Sequence, residues 1–184
     1  MSKKYYDYVT RVVAGHGEIL PKHSWWPRHS ASMTRYLLEA SKDGDGRKAR
    51  SARDLLVSTA AEWEAYVPAS LRKVPKTPKA HPRMCRHARL EREIVDAALL
   101  HDHVALERLF RAAETNMLEQ SLMYGKAIPG FPEVRFSSLM REHLVLFLES
   151  VRAHLLGESQ RYGESERKRA QNTVGLFVLT ANWF

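Results

Sequence analysis

Five side chains that could bind a metal lie within a short stretch in the middle of the sequence. They are His81, Cys85, His87, His101 and His103. Imidazole nitrogen and thiolate sulfur are donors that zinc favours, and a zinc ion takes four ligands. The spacing matches no zinc-finger pattern, the chain has a single cysteine, and Arg83 and Arg86 lie between the donors. The sequence therefore assigns no metal ligand here, and a zinc-binding helical domain stays open as an alternative.

The pair His101-Asp102 looks like the centre of a metal-dependent phosphohydrolase site of the HD type. Such a site also needs an upstream histidine, which His81 or His87 could supply, and a further aspartate downstream. No aspartate follows Asp102, and His103 stands where a glycine usually follows the pair. A dipeptide match of this kind is weak evidence, so the sequence does not predict this activity.

Other catalytic patterns are missing from the sequence. It contains no phosphate-binding glycine loop, no GxSxG and no paired CxxC motif. Basic neighbours would lower the pKa of the Cys85 thiol, but a lone cysteine in a basic segment is more often a bystander than a nucleophile. His103 and Glu107 are one Glu/His pair at i, i+4, and the repeated Glu-x-x-His elements of a di-iron bundle are missing. We therefore predict a protein that is not an enzyme and that needs no cofactor.

The segment from residue 71 to 89 carries seven Lys/Arg and no acidic residue. Three prolines in it (Pro75, Pro78 and Pro82) disfavour a continuous helix. Like charges this close repel one another, and nucleic-acid phosphate is the commonest partner that neutralises them. A solvated basic linker is the other interpretation of the segment.

Positive charge is concentrated in one part of the chain. Residues 42–89 hold twelve Lys/Arg against five acids, which is +7 of the net charge of +8. The sequence Trp25-Trp26-x-Arg28 also places aromatic rings beside a cation, a combination that stacks unpaired bases, although the two tryptophans are somewhat better explained as core residues. The predicted nucleic-acid-binding residues are Arg28, Arg35, Arg47, Lys48, Arg50, Arg53, Lys73, Lys76, Lys79, Arg83, Arg86 and Arg89.

Apolar residues recur with a helical period through most of the chain. The pattern predicts an all-α bundle of six or seven helices, including short ones over residues 3–14 and 30–41. Ser51 and Ser165 are predicted to begin two of the helices, and Gly125 and Gly157 to end two others. We predict an N-terminal helical portion (1–70), a basic proline-rich connector (71–89) and a C-terminal helical bundle (90–184). Two separate helical halves joined by the connector are the alternative to a single bundle.

The expected compartment follows from cysteine content and hydropathy. A single cysteine excludes an internal disulfide, and no run approaches the roughly 20 apolar residues that cross a bilayer. The first residues lack the apolar core of a signal peptide. We therefore expect a cytoplasmic protein that has no membrane partner.

Three segments carry a resemblance to a known family. Trp26-Pro27-Arg28-His29 leads into an apolar helix, residues 106–123 have the spacing of a C-terminal bundle, and residues 177–182 read FVLTAN. In these features the chain resembles the small subunit of Cascade-type (class 1) CRISPR interference complexes. The resemblance implies a helical, non-catalytic subunit of an antiviral ribonucleoprotein, present in more than one copy. Its basic face would contact a DNA strand or the guide–target duplex.

These observations predict a helical, non-catalytic, nucleic-acid-binding subunit of a ribonucleoprotein or DNA-processing complex. DNA or RNA phosphates and other protein subunits are its expected partners. Two alternatives stay open: the zinc-binding helical domain described above, and a protein–protein adaptor whose basic segment docks an acidic partner.

Overall fold

Six α-helices make up the described part of the molecule. The computed structural model of the chain describes residues 25–42, 46–66 and 81–181. In chain order the helices are α1 (Trp25–Ala40), α2 (Gly46–Tyr66), α3 (His81–Leu99), α4 (His103–Ala127), α5 (Glu133–Leu155) and α6 (Ser159–Ala181). No strand occurs in these ranges, so the predicted all-α helical bundle is confirmed. The predicted helix over residues 3–14 lies outside the described residues.

Each helix packs against the next one along the chain, and α1 also packs against α3 and α6. Short connections favour this arrangement, because helices joined by a few residues fold back as antiparallel neighbours. The contact between α1 and α6 brings the first and last described helices together. As a result, residues far apart in the sequence meet in one interior.

A cluster of buried apolar residues extends through all six helices. Its bulkiest aromatic members are no more than 2% exposed and include Trp25, Trp26, Tyr124, Phe136 and Phe147. Rings of this size remove a large apolar area from water and dominate core energetics. Residues on both sides of the predicted connector 71–89 contribute to this one core.

The second half of that predicted connector is helical. Helix α3 begins at His81, so residues 81–89 belong to it. Pro82 is its second residue, a position where the missing backbone N–H has no intrahelical partner to lose. The proline therefore starts a helix here instead of preventing one.

The two predicted serine starts are wrong. Helix α2 begins at Gly46 and α6 begins at Ser159, which leaves Ser51 and Ser165 inside their helices. In α6 the added turns include Tyr162, which is 2% exposed and packs on the His154 ring at a centroid distance of 5.3 Å. Tertiary packing of Tyr162 thus extends the helix beyond the point that local capping preferences indicate.

The two predicted glycine stops have different outcomes. Helix α5 ends at Leu155, and Gly157 follows with a φ of 69°, the left-handed conformation that favours glycine. Helix α4, in contrast, continues through Gly125 to Ala127. A Cβ at Gly125 would collide with the Glu133 side chain, so this glycine permits a close approach between α4 and the start of α5.

Asp102 has a structural role at the start of α4. Its carboxylate accepts a hydrogen bond from the Ala105 backbone N–H at 2.9 Å and caps the helix. The preceding His101 is exposed and has a φ of 56°. The pair thus forms the turn between α3 and α4. Within the described ranges, no helix is both long and apolar enough to cross a membrane.

Candidate functional site

The first turns of α2 carry three exposed cations, Arg47, Lys48 and Arg50. We call these three residues the α2 basic end. The first turn of the helix contains no acidic residue. Backbone N–H groups at a helix N-terminus lack intrahelical partners, and the helix dipole there favours negative charge. Three cations at this position are therefore unfavourable for the isolated helix and become favourable when an anion lies beside them.

Two further predicted residues, Arg35 and Arg53, lie on the two helices α1 and α2. Arg35 is exposed on α1, the helix that packs against α2. Arg53 is 42% exposed, with its Nε atom 3.3 Å from the Asp54 carboxylate. Exposed ion pairs contribute at most about 1 kcal/mol, so a phosphate could displace Asp54 at little cost.

Arg86 and Arg89, both on α3, each lie within 4 Å of a carboxylate group. Arg86 Nη1 is 3.8 Å from a Glu119 oxygen, and Arg89 Nε is 3.9 Å from a Glu93 oxygen. These contacts are long, and the side chains remain 41% and 59% exposed. The carboxylates nevertheless reduce the local positive potential at this part of α3.

The first turn of α1 packs into the core. Trp25 and Trp26 are each 1% exposed, with ring centroids 4.7 Å apart in an edge-to-face arrangement. The Trp25 indole N–H donates to the Thr59 carbonyl on α2. Arg28 is half-buried and its Nε is shielded from solvent. The tryptophans are therefore core residues, their rings are closed to base stacking in this fold, and Arg28 is not part of an exposed basic surface.

The remaining predicted contacts are beyond the described part of the chain. Lys73, Lys76, Lys79 and the side chain of Arg83 lie outside the described residues. Among the predicted set, the structure places Arg35, Arg47, Lys48 and Arg50 on the exposed surface of two neighbouring helices. These four are the predicted residues best placed to meet a phosphate backbone.

A second polar site lies inside the bundle and joins α1 to α3. His29 Nε2 is 2.9 Å from one oxygen of Glu91, and His87 Nε2 is 3.0 Å from the other oxygen. All three side chains are 0% exposed. We call them the His–Glu cluster. His87 and Glu91 are four residues apart and so lie on one face of α3, while the Trp25 ring stacks on His29 with centroids 4.5 Å apart.

Burial and mutual charge decide the protonation tendencies in the His–Glu cluster. Burial raises the pKa of Glu91, but the neighbouring His87 and His29 outweigh it and hold that pKa well below its usual range. Burial lowers the pKa of His29, against the opposing effect of Glu91. The carboxylate is therefore ionised in a site closed to water, an arrangement that requires nearby positive charge or a metal.

His143 on α5 is the next buried histidine. Its ring lies 6.2 Å from that of Trp26, its Nδ1 is 3.2 Å from the Asn172 side-chain oxygen, and the residue is 0% exposed. Burial lowers the pKa of His143 to about 3. The imidazole is thus neutral at physiological pH and acts as a polar core residue.

A buried arginine connects α6 to α1 beside these histidines. Arg169 is 0% exposed, and its Nη2 is 2.8 Å from Glu166 and also donates to the Thr34 hydroxyl. Thr34 in turn donates to Glu166 at 2.8 Å. The guanidinium lies 5.7 Å from the Phe147 ring centre, within cation–π range. This network compensates the arginine charge inside the bundle.

Of the sequence-predicted metal donors whose side chains the structure describes, only His87 enters the His–Glu cluster. Cys85 is half-buried, His101 and His103 are exposed, and the side chain of His81 lies outside the described residues. Sequence reasoning missed His29 and Glu91. The spacing His87-x3-Glu91 was an available signal, whereas His29 is brought in from a distant helix by tertiary packing.

A cavity of about 490 Å³ lies where the end of α3 meets α5. Its walls are largely apolar and include Ala98, Leu106, Leu148 and Val151, with His101 at its edge. Apolar walls are poorly suited to phosphate, which favours cations and N–H donors. The cavity therefore does not belong to the basic surface.

Comparison of the chain with protein-family models, with curated protein sequences and with solved structures finds no match in any of the three. The functional argument therefore depends on the residues and the geometry described above.

Proposed function

We propose that the protein is a non-catalytic, nucleic-acid-binding subunit of a ribonucleoprotein or DNA-processing complex. It contacts the phosphate backbone through the α2 basic end and Arg35. The observation that carries this proposal is the group of exposed cations at the acid-free start of α2. The family resemblance of the sequence to CRISPR interference small subunits supports the same function.

The distribution of charge supports a localised interface. Residues 42–54 contain five Lys/Arg and three acids, with the acids at the two ends of the segment, whereas residues 103–181, which span α4 to α6, contain ten Lys/Arg and nine acids. A near-balanced surface gives little net attraction for a polyanion, and a local excess of positive charge gives more. Phosphate contacts of this type position a nucleic acid and carry no base specificity.

Fluorescence anisotropy with single-stranded DNA, duplex DNA and RNA of one length tests the proposal. Each titration is repeated across a salt series. Log affinity should fall linearly with log salt, by about 0.7 to 0.9 per phosphate contacted. The strand type that is bound most tightly identifies the physiological ligand class.

A charge-reversal variant locates the interface. Arg47→Glu, Lys48→Glu and Arg50→Glu together should lower the salt slope by about 2 to 3, because three phosphate contacts are lost. The matched control is Arg108→Glu, Arg135→Glu and Lys168→Glu, which changes the net charge equally at exposed positions on α4, α5 and α6. If both variants lost the same amount of salt slope, the effect would depend on net charge alone and not on the position of the three cations.

Absence of binding to all three nucleic acids at low salt would overturn the proposal. Capture of an acidic protein by the same surface, under those conditions, would instead establish the adaptor alternative. The two functions thus give different results with the same variants.

A further inference from the structure

We propose that His29, His87 and Glu91 form a structural site for a divalent transition-metal ion, with zinc the favoured occupant. The site would tie α1 to α3 inside the bundle. It is distinct from the nucleic-acid surface and would exist whether or not the proposed function is correct.

The donor set has the composition of a zinc site. Two imidazole nitrogens and a carboxylate bind zinc in several catalytic sites, and imidazole suits several other first-row metals. The donor atoms of His29, His87 and Glu91 lie within 4.8 Å of one another. Both oxygens of Glu91 face a histidine, so a bidentate carboxylate would supply the fourth donor that zinc requires.

The orientation of the buried polar atoms is an independent observation. The Nε2 atoms lie 2.9 and 3.0 Å from the two Glu91 oxygens, and among the described residues no hydrogen-bond partner meets the buried Nδ1 atom of either ring. Buried polar atoms are nearly always hydrogen-bonded or bound to a metal. Two histidines that direct their Nε2 atoms at one carboxylate in the core form the arrangement that a shared cation requires.

The surroundings fix the ligands in place. Trp25 stacks on the His29 ring, and Trp26 contacts the same ring edge-on at a centroid distance of 6.4 Å. His87 and Glu91 are held one turn apart on α3. Rigid ligands raise metal affinity because little ordering remains to be done on binding.

The complete burial of the ligands indicates a structural site. Catalytic zinc keeps an open position for water or substrate, and structural zinc is closed by protein. All three side chains here are 0% exposed. The ion would therefore stabilise the fold and would not meet a substrate.

Metal analysis of protein purified without a histidine tag is the first test. We expect about one equivalent of zinc per chain, and less than about 0.1 equivalent after the single substitutions His87→Gln and Glu91→Gln. The matched control combines Cys85→Ser, His101→Gln and His103→Gln, which removes the described sequence-predicted donors that lie outside the cluster. This control should keep its metal.

Thermal unfolding of the unaltered protein tests the proposal without any substitution, so it can be used even if a ligand variant fails to fold. Zinc at 100 times its dissociation constant should raise the unfolding midpoint of chelator-treated protein by about 5 to 10 °C. Cobalt should give the visible absorption of a tetrahedral site. Protein that carries less than about 0.1 equivalent of metal and shows no midpoint shift with zinc would overturn the proposal. Loss of metal in the control but not in His87→Gln would overturn it equally.

Discussion

The α2 basic end and the His–Glu cluster use charge in opposite ways. The first places Arg47, Lys48 and Arg50 in water, where the high dielectric constant weakens their mutual repulsion. The second places Glu91 between two histidines at 0% exposure, where an uncompensated charge is very unfavourable. The exposed charges therefore face solvent and contribute little to folding. The buried charges are unavailable to a macromolecule and matter greatly for folding.

This contrast means that stability and binding should be separable by substitution. Changes in the cluster should alter the free energy of unfolding and leave the affinity of folded protein for nucleic acid unchanged. Changes at the α2 basic end should do the reverse. The four predictions that follow are ordered by expected effect on the free energy of unfolding.

Glu91→Ala should have one of the two largest effects. Removing one partner of a buried ionic group costs about 3 to 5 kcal/mol, because the remaining polar groups stay buried without compensation. Urea unfolding in the presence of a chelator measures this network without a metal contribution. The control Glu107→Ala removes a 68% exposed carboxylate that pairs with Arg111 at 2.6 Å, and should cost less than about 1 kcal/mol. Similar losses in both variants would contradict the distinction between the two regions.

Trp25→Ala should destabilise by about 3 to 5 kcal/mol, as expected for a large buried aromatic residue. The substitution also removes the stack on His29 and the hydrogen bond to Thr59. Under conditions where the variant is folded, its affinity for single-stranded DNA should equal that of the unaltered protein. If the variant instead bound DNA more weakly and kept its stability, Trp25 would be a base-stacking residue and not a core residue.

Acid should destabilise the fold through His143. Its pKa is lowered from 6.5 to about 3, chiefly by burial. Between these values the unfolded chain binds a proton that the folded chain does not, so stability is complete above pH 6.5 and falls as the pH decreases. The slope is up to about 1.4 kcal/mol per pH unit for this group. The charged or titratable groups that act on it are Glu91, which raises its pKa, and Arg169, His29 and His87, which lower it.

The variant His143→Gln isolates this contribution. Urea unfolding at several pH values between 4 and 7 should show a shallower dependence than in the unaltered protein, although His29 and Glu91 keep part of it. The exposed His103→Gln serves as the control and should leave the profile unchanged. An identical pH dependence in all three proteins would show that His143 is not the group responsible.

The charge reversal at Arg47, Lys48 and Arg50 should have the smallest effect on stability. Surface substitutions usually change the free energy of unfolding by no more than about 0.5 kcal/mol each. Acidic residues near a helix N-terminus are slightly favourable, so the variant should be as stable as the unaltered protein or more so. A loss above about 2 kcal/mol would mean that these cations support the fold, and that lost nucleic-acid binding could not be attributed to the interface.

The local sequence pattern predicted which segments are helical better than it predicted the residues at which the helices begin and end. The helical period of apolar residues identified the all-α class, and Gly157 was recognised as a stop because its left-handed φ is a local requirement. Ser51, Ser165 and Gly125 misled because their local preferences compete with packing. Tyr162 extends α6 toward its N-terminus, and α4 continues through Gly125, which the Glu133 side chain packs against.

Exposed charge was also readable from the sequence, since cations at the start of a helix, ahead of its first buried apolar residue, tend to stay in water. The exposed positions of Arg47, Lys48 and Arg50 agree with that reading. The fate of Arg28 was less readable, because its neighbours Trp25 and Trp26 pack inward and carry it to a half-buried position.

The sequence by itself determined the helical class, the concentration of positive charge and the single-turn pairing of His87 with Glu91. Each of these depends on residues that are neighbours in the chain or on one helix. Only the tertiary structure decided that His29 joins that pair, and that His101 and His103 stay at the surface. Periodicity shows which face of a helix is buried, but the partner on the opposing helix depends on how distant segments pack together.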